Sequence, residues 1–391
     1  MMDKTRKMNV LVLGNSGAGK STLIKAISGA EVKTGTGGSV TSKIEVYESS
    51  TWPIRCIDTK GFEYTWLAQQ KTILQVKKFT KQQIANETVE DGIEPGIDAV
   101  WYCVDGCAKR VFDENIHMMN KSIRGWKNIP IFAVITKSYS KPDIPDNIEA
   151  VKLAFAKGKS ANLKAVIPVV AEIYRIDEDK EVPPQGIEEL CLATLNCFDE
   201  AKNISKENRD RMILEQKRFT ANAVVAGATT LAAVTGAVPI PFPDSMILVP
   251  LETALAKGVL KIYKIDFSGE LITAIIGSTV ITNIAKTALN ALKAIPIAGT
   301  VLNAVVAGFF VGALGESFIA LSESIYQGKI DNNEIEKIVD FISQKIKTNP
   351  VFGFAIKYLE ENADKFIGKS PKEITKAIND AIKDGSKILK K

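Results

Sequence analysis

The stretch NVLVLGNSGAGKST, residues 9–22, places a glycine-rich turn directly after an apolar run. The turn has the spacing G-x-x-x-x-G-K-S, which predicts a strand, a loop whose backbone N–H groups surround phosphate oxygens, and a helix. Glycine lets the backbone wrap closely around a phosphate because it has no Cβ. We therefore predict a nucleoside triphosphate site. Its phosphate-binding residues are Gly14, Asn15, Ser16, Gly17, Ala18, Gly19, Lys20, Ser21 and Thr22.

A second motif, IDTKG at residues 57–61, follows another apolar run. In the first motif, the Lys20 ammonium is expected to reach the β- and γ-phosphates, and the Ser21 hydroxyl is expected to bind Mg²⁺. In the second motif, Asp58 is expected to hold Mg²⁺ through water, and the N–H of Gly61 to meet the γ-phosphate. Either motif alone is weaker than the two at this spacing, which together predict a phosphate and Mg²⁺ site.

A Gly- and Thr-rich segment, KTGTGGSVTSKIEVYE at residues 33–48, lies between the two motifs. Segments of this kind become ordered around a triphosphate and relax after hydrolysis. We assign Thr41 as the threonine that senses Mg²⁺ and the γ-phosphate, because it directly precedes an apolar strand, and Thr36 is the alternative. The predicted catalytic residues are Lys20, Thr41 and Gly61, and the predicted metal ligands are Ser21, Thr41 and Asp58.

The first half of the chain alternates short apolar segments with segments of helical periodicity. Strands that alternate with helices predict an α/β domain with a mostly parallel sheet. The predicted strands are Val10–Leu13, Ile44–Glu48, Ile54–Asp58, Ala99–Val104, Ile129–Ile135 and Val166–Val170. The predicted helices are Ser21–Ser28, Trp66–Asn86, Glu114–Gly125, Asn147–Ala156 and Gly186–Phe198.

Composition excludes several classes of function. His117 is the only histidine, which argues against a His-based metal site or a Ser-His-Asp triad. The five cysteines are scattered and form no disulfide framework, so we expect reduced thiols and a cytoplasmic protein. The net charge of +5 is small, and the sequence has no stripe of basic and aromatic residues of the kind that binds nucleic acid. We therefore expect no nucleic-acid partner. The N-terminal apolar run leads into Gly14 and is interpreted as a core strand, not as a signal peptide.

The motif Thr136-Lys137-Ser138-Tyr139 ends the apolar segment FAVI, and here the chain resembles the GTPase superfamily. That resemblance implies GTP and GDP as ligands with Mg²⁺, GTP hydrolysis, and base contacts from Thr136, Lys137 and the backbone of Ala171. The family signature is Asn/Thr-Lys-x-Asp, and Tyr139 stands where the guanine-reading Asp is expected. Asp143 is a substitute acceptor, and an ATPase or a nucleotide-binding module with little turnover stays an alternative.

Phe62 occupies the position after Gly61, where many small GTPases place a water-orienting glutamine. In this respect the motif resembles hydrophobic-substituted GTPases, including dynamin-like, septin-like and immunity-related types. In those families a second copy of the GTPase domain often completes the site. The resemblance therefore implies slow hydrolysis by the monomer and a homodimer through the GTPase domain.

The second half of the chain differs from the first in composition, since residues 219–328 are apolar and carry few charges. We therefore predict four parts. They are a P-loop GTPase domain at 1–200, a charged connecting helix at 201–218, an apolar helical domain at 219–328, and amphipathic helices with a tail at 329–391. Residues 219–328 resemble the helical domain of YcjF-type proteins through the turns PIPFPD (239–244) and IPIAG (295–299). The expected fold is therefore an α/β GTPase domain followed by an all-α domain.

The span Ala294–Gly315 has no charged residue and is about the ~20 residues that cross a bilayer. It contains Gly308-x-x-x-Gly312, a motif that packs helices closely in lipid. The preceding helix carries Lys286 and other polar residues, so we favour a buried helical bundle. Membrane contact, with a dynamin-like role and a peripheral location, is the alternative.

Overall fold

The structure is a computed structural model, and it describes residues 7–29, 45–58, 74, 96–108, 116, 129–158, 162–177, 180–198, 204–235, 249–278, 281, 283–284, 287–288 and 299–388. Elements are numbered here in chain order among those residues. The chain divides into two compact units. The N-terminal unit comprises Met1–Tyr174 and Pro184–Gln216, and the helical unit comprises Arg175–Pro183 and Lys217–Lys391.

The N-terminal unit is built on a six-stranded sheet in the order β2-β3-β1-β4-β5-β6. The strands are β1 (Met8–Gly14), β2 (Glu45–Glu48), β3 (Ile54–Asp58), β4 (Ala99–Asp105), β5 (Ile131–Thr136) and β6 (Leu163–Pro168). β2 runs antiparallel to β3, and every other neighbouring pair is parallel. The carboxyl ends of the parallel strands therefore share one edge of the sheet, which is where open α/β sheets bind ligands.

The central strands are buried on both faces, as continuous apolar runs predict. Val10, Val12 and Trp101 lie in the core on one face, and Leu11 and Leu13 lie in the core on the other. Successive side chains of a strand point to opposite faces, so one strand contributes to both cores.

Helices α1 (Lys20–Ser28), α2 (Ile144–Lys157) and α3 (Ile187–Leu195) belong to the same unit. α1 buries Leu23, Ile24 and Ile27, which recur at helical spacing. The boundary between the units falls inside α4 (Lys206–Thr235), after Gln216. Among the described residues of this unit, polar side chains bond to two buried tryptophans. The indole N–H of Trp52 donates to Gln216 Oε1 at 2.9 Å, and that of Trp101 donates to Thr194 Oγ1 at 2.9 Å.

The helical unit contains the latter part of α4, a short hairpin and six further helices among the described residues. The hairpin is β7 (Tyr174–Asp177) and β8 (Lys180–Val182). The helices are α5 (Val249–Ile262), α6 (Gly269–Ile276), α7 (Gly299–Tyr326), α8 (Ile335–Lys347), α9 (Pro350–Glu361) and α10 (Pro371–Ile388). α7 is the centre of this unit, since α5, α8, α9 and α10 all pack against it.

Glycine allows α7 to approach α4 closely. A Cβ on Gly315 would lie 2.6 Å from Val225 Cγ2, and a Cβ on Gly312 would lie 3.5 Å from Thr229 Oγ1. Among the described residues, one helical segment, Ala304–Tyr326, is long and apolar enough to cross a membrane. Of its apolar window, 78% is buried inside the fold, as is also found in core helices of soluble proteins.

The expected fold class, a mostly parallel sheet followed by helices, is confirmed. The strand predicted at Val166–Val170 is observed at Leu163–Pro168, because it follows the register of β5. The charged helix predicted to end at Arg218 continues to Thr235, since residues 219–235 contain neither Pro nor Gly except Gly227. The helices predicted at Trp66–Asn86 and Glu114–Gly125, and the turn at 239–244, lie outside the described residues apart from single positions within the two helices.

Candidate functional site

The loop between β1 and α1 has the backbone conformation that its glycines permit. Gly14, Gly17 and Gly19 have φ of 141°, 80° and 76°, which L side chains rarely adopt. A Cβ on Gly14 would lie 2.5 Å from the carbonyl oxygen of Cys103 in the neighbouring strand. The pattern at 14–19 is therefore required by the local fold as well as by any phosphate ligand.

Lys20 is the buried cation of this loop. Its Nζ donates to the carbonyl oxygens of Gly14 at 2.7 Å and Asn15 at 2.9 Å. Burial lowers the pKa of Lys20, and the nearby Asp58 carboxylate opposes that shift. The loop therefore holds an ammonium group at its centre, beside the first turn of α1.

The start of α1 is suited to an anion. Its N-cap is Gly19, and no side chain among the described residues caps the helix there. The first amides of a helix carry partial positive charge and need acceptors. Ser21 and Thr22 follow Lys20 in this first turn, and both are half-buried. Of the remaining predicted phosphate-binding residues, Ala18 is buried, whereas Asn15 is half-buried and Ser16 is exposed.

Asp58 lies at the carboxyl end of β3 and is 3% exposed. Its charge acts on Lys20, as well as on Cys56 and Cys103, whose thiol pKa values are raised chiefly by burial. A carboxylate at this depth is costly unless it has a partner or a cation. Asp58 is therefore brought to the edge of the sheet that also carries Lys20.

Thr136 connects the loop after β5 to the loop after β1. Its Oγ1 lies 2.8 Å from the carbonyl oxygen of Ala18 and 3.0 Å from that of Val104. A Cβ on Gly19 would lie 3.3 Å from Thr136 Cβ, so the two loops are in close contact. Thr136, which is 2% exposed, fixes the two loops relative to each other.

Lys137 makes a second connection between these loops. Its Nζ donates to the carbonyl oxygen of Gly17 at 2.8 Å and pairs with Asp105 Oδ2 at 2.7 Å. Asp105 Oδ1 in turn accepts from the backbone N–H of Cys107 at 2.9 Å. Lys137 has φ of 54°, a left-handed conformation that turns the chain sharply at the end of β5. The sequence pattern gave no signal for Asp105, which only the parallel register of β4 and β5 brings opposite Thr136.

The segment after β6 lies beside this loop. The backbone N–H of Ser138 donates to the carbonyl oxygen of Val169 at 3.2 Å, and Ala171 packs partly buried against the core. Tyr139 stacks on Tyr174, with ring centroids 3.7 Å apart and an interplanar angle of 8°. Asp143 ends a short turn before α2, and its negative charge helps to raise the pKa of the Cys107 thiol, which burial raises most. Thr136, Lys137, Tyr139 and Ala171 are thus brought together.

Thr41, Gly61, Phe62 and the alternative Thr36 lie outside the described residues. Their predicted roles therefore stay predictions. The remaining predicted site residues all belong to the N-terminal unit. Within the part of the chain that the structure describes, no group of three or more His, Cys, Asp or Glu side chains is placed to hold a metal ion.

The residues present fit a phosphate with its Mg²⁺. The loop conformation depends on glycines, a buried ammonium lies at its centre, and the buried Asp58 carboxylate acts on that ammonium. Mg²⁺ in such sites takes one or two protein ligands and completes its shell with water and phosphate oxygens. Ser21 and Asp58 are oxygen donors of the appropriate kind.

Comparison with known proteins agrees with this geometry. The family described as 50S ribosome-binding GTPase matches residues 9–137. No curated protein sequence matches the chain.

Several solved structures show a low overall similarity. A probable GTP-binding protein, EngB, is 20% identical, with 48% of this chain and 97% of that chain covered and a TM-score of 0.32. Toc33 from Arabidopsis thaliana in complex with GDP and Mg²⁺ is 18% identical, with 51% and 86% covered and a TM-score of 0.34. The septin GTPase domain from Chlamydomonas reinhardtii is 16% identical, with 53% and 96% covered and a TM-score of 0.34. The stretch 9–137 is therefore similar to the G domain of that GTPase family.

Proposed function

We propose that this G domain hydrolyses GTP to GDP and phosphate with Mg²⁺, and that the chain works as a nucleotide-dependent switch. The proposal rests on the position of the Lys20 ammonium, because its Nζ lies 2.7 Å from the carbonyl oxygen of Gly14 inside the glycine loop. P-loop enzymes hold the β- and γ-phosphates at this point of the loop. A buried cation is stabilised by an anionic ligand there, because opposite charges attract strongly away from water.

The chain's own groups have separable roles in this reaction. Lys20 and the amides at the start of α1 stabilise the charge that develops on the phosphate oxygens. Ser21 and Asp58 would hold Mg²⁺, which supplies further neutralisation of the β- and γ-oxygens when bound. Thr136 and Lys137 keep the phosphate loop in one conformation, since both bond to its carbonyl oxygens.

We propose that the monomer turns over slowly and that a second copy of the chain assists it. Phe62 supports this proposal, because a phenyl ring cannot hydrogen-bond the attacking water as glutamine does. Thr41 and Gly61 are assigned to the γ-phosphate on their sequence positions. The resemblance to dynamin-like and immunity-related GTPases gives the same expectation of self-association.

We propose that the helical unit, similar to the YcjF-type domain, responds to the nucleotide state. Its support is the order of the chain, in which the helical unit continues directly after Gln216. The proposed location is the cytoplasm. Docking at a membrane is less favoured, because most of the apolar window in Ala304–Tyr326 is buried within the helical unit.

The experiment that tests the proposal is calorimetric titration of the full chain with GTP and Mg²⁺, together with phosphate release. Lys20→Ala should abolish binding and turnover, whereas Lys25→Ala, an exposed lysine of the same helix, should leave both unchanged. Retained binding by the Lys20→Ala variant would overturn the site assignment. Turnover per mole should rise with protein concentration, and a rate that is fast and independent of dilution would contradict assistance by a second copy.

A further inference from the structure

Position 139 is where the GTPase signature has an Asp that accepts hydrogen bonds from guanine, and this chain has Tyr139 there. Its ring is half-buried and lies almost parallel to that of Tyr174, with 3.7 Å between centroids. Tyr174 is 42% exposed, so part of the stacked pair faces solvent. The base end of the site therefore presents an aromatic pair in place of a carboxylate.

The backbone holds this pair where a base is expected. Thr136 and Lys137 bond to the carbonyl oxygens of Ala18 and Gly17, which fixes the start of the loop on the phosphate-binding loop. The N–H of Tyr139 donates to the carbonyl oxygen of Lys137 at 2.8 Å, so the turn between them is tight. Tyr139 is thus held two residues beyond the contact between Lys137 and the phosphate loop.

The chemistry of a tyrosine at this position differs from that of an aspartate. An ionised carboxylate only accepts hydrogen bonds, so it matches the adjacent N–H donors of guanine and not the acceptor and donor of adenine. A phenol hydroxyl both donates and accepts, so it can meet either purine. Burial raises the pKa of Tyr139 to about 12, and the charge of the Glu172 carboxylate acts in the same direction. The hydroxyl is therefore neutral at physiological pH.

Other carboxylates lie near this loop, and each has to be considered as a replacement for that Asp. Asp105 already pairs with Lys137 and accepts from the N–H of Cys107. Asp143, in the turn before α2, and Glu172, whose charge acts on Tyr139, are two further carboxylates of this region. Variants of both therefore have to be part of any test.

We propose that the stacked Tyr139–Tyr174 pair is the base-recognition element of this site. It takes a purine nucleoside triphosphate by ring contact and a neutral hydroxyl, and it separates guanine from adenine less than a carboxylate would. The inference rests on the proposed function of the same site, and it adds ATP as a ligand of comparable affinity.

The test is titration of the full chain with GTP and with ATP, each with Mg²⁺, for the wild type and five variants. For the wild type, the two Kd values should differ by less than about tenfold, since no charge-assisted bond separates the bases. Tyr139→Asp should raise the preference for GTP by about 10- to 150-fold, the usual effect of hydrogen bonds to a charged group. Tyr174→Ala should weaken both nucleotides together. Tyr139→Phe should leave the ratio of the two Kd values within about tenfold, and Asp143→Ala and Glu172→Ala should each leave it unchanged.

A wild-type preference for GTP above about 100-fold that persists in Tyr139→Phe and Tyr174→Ala would overturn the inference. A guanine preference that disappears in Asp143→Ala or in Glu172→Ala would also overturn it. If Tyr139→Asp does not fold, the ratios of the GTP and ATP Kd values for Tyr139→Phe and Tyr174→Ala still test the inference. Failure of the proposed function has a different result, which is that Lys20→Ala binds both nucleotides as the wild type does.

Discussion

The hydroxyl of Thr136 lies 2.8 Å from the carbonyl oxygen of Ala18, across 118 residues of sequence. This bond joins the loop after β5 to the loop after β1, and the same hydroxyl lies 3.0 Å from Val104 O in β4. One side chain at the end of β5 therefore contacts both β4 and the loop after β1. The conformation of the phosphate loop depends on a residue that the sequence pattern assigns to the base.

We expect Thr136→Val to weaken nucleotide binding by about tenfold and to lower the free energy of unfolding by about 1–3 kcal/mol. Valine has nearly the shape of threonine but leaves buried carbonyl oxygens without the hydroxyl donor. Urea unfolding and calorimetry with GTP measure the two effects. Thr136→Ser restores the hydroxyl and should recover most of both, and equal losses in the two variants would show that the methyl group matters instead.

The fold class and the order of strands and helices follow from sequence because both depend on local patterns. Continuous apolar runs predict buried parallel strands, and the glycine spacing at 14–19 predicts the strand, loop and helix that are observed. The end of β3 at Asp58 is predicted correctly, because Asp58 closes such a run. These predictions need no knowledge of which residues meet across the fold.

Long-range polar partners could not be predicted in the same way. Gln216 stands in a charged, helix-forming stretch and gives no signal, yet its Oε1 accepts from the indole of Trp52, 164 residues away. Asp105 pairs with Lys137 only because β4 and β5 align in parallel. The stack of Tyr139 on Tyr174 likewise depends on the packing of two loops. A single sequence does not encode such partners in any local period.

The buried carboxyl of Glu252 should make the stability of the helical unit depend on pH. It is 6% exposed, and burial raises the pKa of its carboxyl to about 7 from an ordinary 4.5. The folded state therefore binds the proton more tightly than the unfolded state, so stability is greatest below about pH 4.5 and falls as pH rises to about 7. The loss attributable to this group is at most about 3 kcal/mol.

Glu252→Gln should remove this dependence and stabilise the helical unit at pH 8, with little effect at pH 4.5. Denaturant unfolding followed by circular dichroism across pH 4.5–8 measures it. Glu270→Gln, at an exposed position in α6, is the matched control and should leave the pH profile as in the wild type. A Glu252→Gln profile that falls as steeply as the wild type would contradict the assignment.

Arg218 and Glu323 form an ion pair that we expect to stabilise the helical unit. Arg218 Nε lies 2.6 Å from Glu323 Oε1, and the hydroxyl of Tyr263 lies 3.3 Å from the same oxygen. The Glu323 side chain is only 12% exposed, so Arg218→Ala leaves a largely buried carboxylate without its cation. We expect Arg218→Ala to lower the free energy of unfolding by about 1–3 kcal/mol. The double variant Arg218→Ala, Glu323→Ala should lose less than the sum of the losses in the two single variants.

A double-mutant cycle in urea measures the coupling between these two side chains. The exposed pair Arg211–Glu215, with 3.9 Å between Nε and Oε1, provides the comparison within α4. Its coupling should be no more than about 0.5 kcal/mol, because both side chains stay hydrated. Equal coupling in the two cycles would show that burial of Glu323 does not strengthen its pair.

Gly315 gives the sharpest packing prediction, because a matched glycine exists in another helix of the same unit. A Cβ at 315 would meet Val225 Cγ2 at 2.6 Å and Cγ1 at 2.7 Å, whereas a Cβ at 353 would meet nothing within 4 Å. Gly315→Ala should therefore lower the free energy of unfolding by about 1–3 kcal/mol, the usual range for overpacking a core. Gly353→Ala should raise it by about 0.5–1 kcal/mol through helix propensity. Thermal and urea unfolding of both variants distinguish these signs, and a double variant Gly315→Ala, Val225→Ala should recover part of the loss. Stabilisation by Gly315→Ala alone would show that α4 and α7 do not pack as closely as these distances require.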